Sequence, residues 1–259
     1  LKKRIFLLIA ICALSLAVAG CSQMNDPIDS SSQGFWNEYI VYPLSWLILK
    51  IADLTGNFGV SIILVTLLIR LVIMPFMVKQ TQNTKAMQSI QGELDELKQK
   101  YPSRDGKSQQ MLQRETMELF QKSGVNPLAG CLPLIIQMPI LIGFYHAISR
   151  TKDIAGHSFL WFDLGAPDPL YVLPLIAGVT TFIQQRMMTG GMASQNPQMA
   201  MMVWIMPVMI IIFAINFPAA LSLYWVVGNI FMIIQTYIIN GPGLSGGTLV
   251  SGHSGGAKR

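Results

Sequence analysis

Residues 58–77 read FGVSIILVTLLIRLVIMPFM, a run that is apolar except for Ser61, Thr66 and one full charge, Arg70. About twenty such residues are what a helix needs to cross about 30 Å of hydrocarbon. At about 1.5 Å of rise per residue, Arg70 lies roughly 18 Å from Phe58 and roughly 10 Å from Met77. An arginine at that depth costs at least about 2.5–3.5 kcal/mol on insertion scales, and it cannot shed its proton. The chain must therefore supply water, dipoles or an anion around it.

Four further apolar runs are long enough to cross: Leu128–Ile148, Leu170–Met188, Met199–Phe217 and Ala219–Ile239. Only 12% of the 259 residues are charged and 52% are hydrophobic, against about 25% charged in a soluble domain. The fold class expected is an all-α polytopic membrane protein. Its net charge of +5 falls to +2 once Lys2, Lys3 and Arg4 of the N-terminal segment are set aside. No concentrated basic patch remains, so nucleic-acid binding is not expected.

Residues 1–20 have a basic start and an apolar run, the pattern of a cleaved secretory signal. Val18-Ala19-Gly20-Cys21 resembles the bacterial lipobox, which predicts lipidation of Cys21 by a diacylglycerol and an anchor on the extracytoplasmic face. Of the other cysteines, Cys12 lies in the signal and Cys131 in an apolar run, so no disulfide framework is expected. Residues 21–57 then form a lipid-anchored extracytoplasmic segment. Ser22–Gly34 reads as a flexible tether. Phe35–Leu54, with Trp36, Tyr39, Tyr42 and Trp46 among charges, reads as a helix broken near Pro43 and lying along the outer interface.

After the first span (58–78), residues 79–126 change character. Met87, Ile90, Leu94, Leu97 and Tyr101 recur at spacings of three and four, and Leu112, Thr116, Leu119 and Phe120 do so again beyond a Tyr101–Gly106 turn. The pattern predicts an antiparallel helical hairpin in water. Residues 127–240 hold the second to fifth spans, and 241–259 is a Gly/Ser-rich tail expected to be disordered. The hairpin carries Lys79, Lys85, Lys98, Lys100, Arg104, Lys107, Arg114 and Lys122, whereas the loop 149–169 carries only Arg150 and Lys152. Basic loops stay cytoplasmic. This orientation puts the hairpin and tail inside and Cys21 outside.

With the orientation set, polar residues of several spans fall at similar depth. Gln137 lies roughly 14 Å from the cytoplasmic end of its span, and Thr180, Thr181, Gln184 and Gln185 roughly 15–22 Å from the outer end of theirs. Trp225, Asn229 and Thr236 share one helical face, which Ser222 extends; Thr66 stands one turn from Arg70. No Asp or Glu occurs in any span to pair with Arg70. Such residues usually face a bundle interior or a wet cavity. Single Gln or Thr residues also serve as glue between helices, at about 0.6 kcal/mol each. Glue does not account for an unpaired arginine, so the polar set predicts a hydrophilic groove open to the cytoplasm. Its lining would be Arg70, Thr66, Gln137, Thr181, Gln184, Gln185, Trp225 and Asn229. Pro133, Pro139, Pro174 and Pro207 predict kinked helices, and the sixteen methionines read as apolar filler or an adaptable surface. His146, His157 and His253 lack metal-ligand spacing, and no catalytic constellation is present; neither an enzyme nor a cofactor or metal site is expected.

The lipobox, five spans, the arginine in the first, the charged hairpin, and NPLAGCLPLIIQMPI at Asn126–Ile140 together resemble the YidC family of membrane protein insertases. The lipoprotein start is similar to its Gram-positive form. The resemblance implies five helices around an inner-leaflet groove, with Arg70 as central cation and Gln137 and Trp225 lining it. It implies nascent integral membrane proteins as substrates in the cell membrane, and the ribosome, the general secretion channel and membrane lipids as partners. The rival class is a small-anion transporter binding at Arg70, although no internal repeat of the kind common in transporters is found.

Overall fold

The computed structural model describes residues 26–102, 105–126, 132–189 and 197–240. The signal sequence, Cys21, Cys131 and the 241–259 tail lie outside the described residues, so the readings placed on them are not met here.

A π-helical turn, Asn37–Val41, runs directly into α1, Tyr42–Thr55. The break expected near Pro43 is not seen: the helix continues through it, with the π-helical turn just before the proline. Gly56, at φ 70°, ends α1 in the left-handed conformation that a side chain disfavours. Asn57 at once caps α2, its Oδ1 accepting from the Val60 N–H at 3.1 Å.

α2 is a single helix from Phe58 to Ser89. It overruns the predicted span by about three turns, so Met87 belongs to it. α3, Gln91–Lys100, begins only after a bend at Ile90, and α4, Gly106–Lys122, starts from an Asp105 cap. Ile90, Leu94 and Val125 form a small core with Leu119 and Phe120 beside it. At the other end Lys100 and Tyr101 both reach Glu115. Contacts at both ends make the pair antiparallel.

The remaining helices are α5 Leu132–Arg150, α6 Lys152–Ala155, α7 Val172–Thr189, α8 Pro197–Asn216 and α9 Ala219–Asn240. Phe58–Ser89 and Ala219–Ile239 are long and apolar enough to cross a membrane, and Ala200–Asn216 is a shorter apolar helix. Pro75, Pro139 and Pro207 are interior to α2, α5 and α8. Pro133 and Pro174 fall in first turns and break no hydrogen bond.

The connection 149–169 is more structured than a loop. It holds α6 and a two-residue antiparallel ladder, β1 Ser158–Phe159 with β2 Phe162–Asp163. Asp168 organises its exit. Its carboxylate accepts from Trp161 Nε1 at 3.0 Å, Leu170 N at 3.1 Å and Leu173 N at 2.7 Å, capping α7.

The main core lies at the Phe58 end of the bundle. Ile48, Ile62, Val65, Phe144, Ile148 and Tyr224 are all fully buried there, joined by Phe162 and Leu164 from the ladder. The segment before the π-turn is docked on this core rather than free. Ile28 is buried in it, Arg150 Nε donates to the Asp26 carbonyl at 2.7 Å, and Arg150 Nη1 donates to Asn37 Oδ1 at 2.7 Å. Over residues 26–34 the expected flexible tether is therefore corrected: the Asp26 carbonyl accepts from Arg150, the Ile28 N–H donates to the Arg150 carbonyl, and the Ile28 side chain is buried. Arg150, read as a loop charge, is buried as the clamp.

Candidate functional site

Arg70 is carried a little over three turns into α2 and is only 8% exposed. Helical side chains lean toward their own N-terminus, which takes the guanidinium toward the Phe58 end and onto α9. There Nη2 donates to Gln137 Oε1 of α5 at 3.2 Å. Gln137 Nε2 in turn donates to the Tyr224 hydroxyl at 2.6 Å. The Tyr224 ring lies beneath the guanidinium, 6.0 Å from Cζ to its centroid, within cation–π range. One helix turn further on, Gly228 leaves the space the guanidinium fills. A Cβ there would stand 2.5 Å from Nη2 and 3.1 Å from both Cζ and Nε.

Three helices thus meet on one cation through neutral dipoles and a π-face. The ion pairs among the described residues are Lys50–Asp53, Lys98–Asp95, Lys100–Glu115 and Arg114–Glu118. None includes Arg70, so its charge is solvated by the protein but not neutralised.

The other predicted groove residues divide. Thr66 is buried on the same helix, but its hydroxyl donates to the Ile62 carbonyl at 2.6 Å and is spent inside α2. Trp225, Asn229 and Thr181 form a separate lock between α9 and α7. Thr181 Oγ1 accepts from Trp225 Nε1 at 3.1 Å and from Asn229 Nδ2 at 2.8 Å, and Asn229 also reaches Thr180 Oγ1 at 3.1 Å. Trp225 turns from Arg70 because residues 224 and 225 point about 100° apart on a helix; Tyr224, not Trp225, faces the arginine. Gln184 makes a weak contact with Met188 Sδ at 3.8 Å. Gln185 is half-buried and has no side-chain hydrogen bond among the described residues. Tyr224 and Gly228 are the site residues that sequence reasoning misses. Their signal was a glycine one turn from an aromatic, the spacing that lets another chain element approach a helix closely.

Buried polar atoms without a hydrogen-bond partner occur at both ends: Trp36 Nε1, His146 Nδ1 and Ser222 Oγ toward Phe58, and Gln80 Oε1, both amide atoms of Gln235 and Thr236 Oγ1 toward Ser89. Two cavities of about 240 Å³ each open toward the Ser89 end, beside Gln235 and Thr236. The main apolar core therefore lies on one side of Arg70 and the two cavities on the other.

The sequence model of the 60Kd inner membrane protein family matches residues 50–243, three-quarters of the chain. The chain belongs to that family. Membrane protein insertase MisCA of Bacillus subtilis (strain 168) is 65% identical, over 93% of this chain and 93% of its own length. Membrane protein insertase YidC 2 of Bacillus anthracis is 60% identical, over 93% of this chain and 95% of its own. Among solved structures, an active YidC insertase with its first transmembrane domain resolved superposes with a TM-score of 0.63 at 29% identity. The match covers 79% of this chain and 47% of that one, so this chain spans about half its length. Membership of this family makes the long apolar helices those of an all-α polytopic membrane protein.

Proposed function

We propose that this protein inserts integral membrane proteins into the cytoplasmic membrane and helps them fold, with no nucleotide or cofactor. α2, α5, α7, α8 and α9 serve as the five spans, and α3 with α4 is a cytoplasmic hairpin that receives ribosomes or nascent chains. The general secretion channel is a second partner. Cys21 carries the lipid anchor on the outer face.

The observation that carries this reading is the un-neutralised Arg70 below a sealed outer half. A nascent helix with a short acidic tail enters from the hairpin side, and the cation draws the tail inward. A carboxylate at mid-bilayer costs about 2.5–3.5 kcal/mol. Attraction to a cation about 4 Å away returns about 4 kcal/mol at an effective dielectric near 20. The two magnitudes match, so the tail can reach Arg70 without being trapped. Burial of the substrate helix in lipid and the membrane potential then complete transfer.

A small-anion transporter would need a path from Arg70 to the outer face. That path is filled by Phe144, Ile148, Ile62 and Tyr224, each fully buried. Proteoliposomes holding the purified protein decide between the readings. Arg70→Ala should slow insertion of a single-span substrate with an acidic tail, and Arg70→Lys should largely preserve it. Normal insertion by the Ala variant, or counterflow of a small anion, refutes the proposal.

A further inference from the structure

Along α2, Leu71, Met74, Val78, Thr81, Lys85 and Gln88 recur at alternating spacings of three and four, so they line one face. The first three, with Phe231, Ile234 and Ile238 of α9, form an apolar furrow of about 240 Å³ between the two helices. The last three, with Thr84, Met188 and Thr236, line a polar cavity of equal size. Lys85 joins the two, since its Nζ lies 3.4 Å from the carbonyl of Ile239, a furrow residue.

We propose that this seam seats one anionic glycerophospholipid, with an acyl chain in the furrow and the headgroup in the polar cavity. Depth places it correctly. Lys85 stands roughly 22 Å along the helix from Arg70, beyond the half-thickness of about 15 Å of hydrocarbon, and its side chain leans back toward the bilayer. Furrow residues Leu71, Ile234 and Ile238 are exposed, as lipid-facing side chains are.

The polar end selects the headgroup. The Lys85 ammonium has three donors, of which only the long contact to Ile239 is used, so a phosphate is the better acceptor. Thr81 and Thr84 donate to the Met77 and Gln80 carbonyls at 3.0 and 3.2 Å, which leaves their lone pairs as acceptors for headgroup hydroxyls. Thr236 is 1% exposed, and its hydroxyl in this cavity has no partner. A phosphate beside hydroxyls, as in phosphatidylglycerol, satisfies this set. A quaternary ammonium headgroup would meet Lys85 with like charge. This inference does not depend on the insertion mechanism.

The test uses the full-length protein in nanodiscs of equal parts dioleoyl phosphatidylglycerol and phosphatidylcholine, with retained lipid read by native mass spectrometry. Retention should favour phosphatidylglycerol by about fivefold, the contribution of one lysine at an anionic surface. Lys85→Ala should abolish the preference and Lys85→Arg should keep it. Val78→Trp, which fills the furrow, should lower retention of both lipids. Lys122→Ala, on the distant hairpin, should change nothing. Monodisperse elution and an unchanged helical circular dichroism spectrum confirm folding of each variant. Equal retention of the two lipids, an unaltered preference in Lys85→Ala, or an equal loss in Lys122→Ala overturns the proposal. So does a photo-crosslinker at Met74 that captures a substrate helix in place of lipid.

Discussion

Gly228→Ala is the sharpest probe of how Arg70 is held. The added methyl carbon would stand 2.5 Å from Arg70 Nη2, so the guanidinium must retreat about 0.9 Å to reach the 3.4 Å of ordinary contact. Its bond to Gln137 is already 3.2 Å long, near the upper end of hydrogen-bond lengths, so a shift of that size disrupts it. A hydrogen bond to a charged group contributes about 1.5–3 kcal/mol, and the mobile end of the arginine recovers part of that elsewhere. The expected net loss is about 1–2 kcal/mol, read as lower thermal stability of the protein in nanodiscs. On the proposed mechanism, insertion of an acidic-tailed substrate also slows. The same substitution in a Gln137→Ala background has no such bond to break and should cost much less, the non-additivity a double-mutant cycle detects. Equal costs in the two backgrounds would refute the account of Gly228 as the space that aims the guanidinium at Gln137.

Tyr224→Phe keeps the ring under Arg70 but removes the acceptor of the Gln137 amide. It should destabilise by about 1–3 kcal/mol, with little further loss when Gln137→Leu is added, as chemical unfolding in micelles would read. Asp168→Ala strips the partner from Trp161, Leu170 and Leu173; hydrogen exchange should speed at Leu170 and Leu173 while the α3–α4 hairpin stays protected. Gly59 lies directly under the Phe159 ring, so Gly59→Leu should displace the ladder and raise protease cleavage across 156–165. The hairpin tip is pH-dependent. Hydrogen bonds from Tyr101 first and Lys100 second hold the Glu115 carboxyl below its usual range. A depressed carboxylate stabilises above its unfolded pKa of about 4.3 and loses that contribution as pH falls through the lower folded value. Exchange at the α3–α4 turn should therefore rise with acidification, and Glu115→Gln should remove the dependence.

The hydropathy runs determined that this chain lies in a membrane, and the Tyr101–Gly106 turn marked a helix break by local chemistry alone. Depth arithmetic brought Arg70 and Gln137 to one level, because rise per residue is a property of the single helix. It could not decide azimuth. Which side of α9 meets α2 and which meets α7 depends on how the helices pack, so Trp225 was placed beside Arg70 where Tyr224 and Gly228 stand. The role of Thr66 was lost for a related reason, since a hydroxyl can satisfy itself on its own helix. Only the tertiary structure joined the 149–169 connection, Arg150 and residues 26–37 into one seal at the Phe58 end, through contacts between residues more than a hundred positions apart. The charge on Arg70 was legible from composition. Its lack of an ion-pair partner among the described residues became a structural fact only once the neighbours were in place, and they are dipoles.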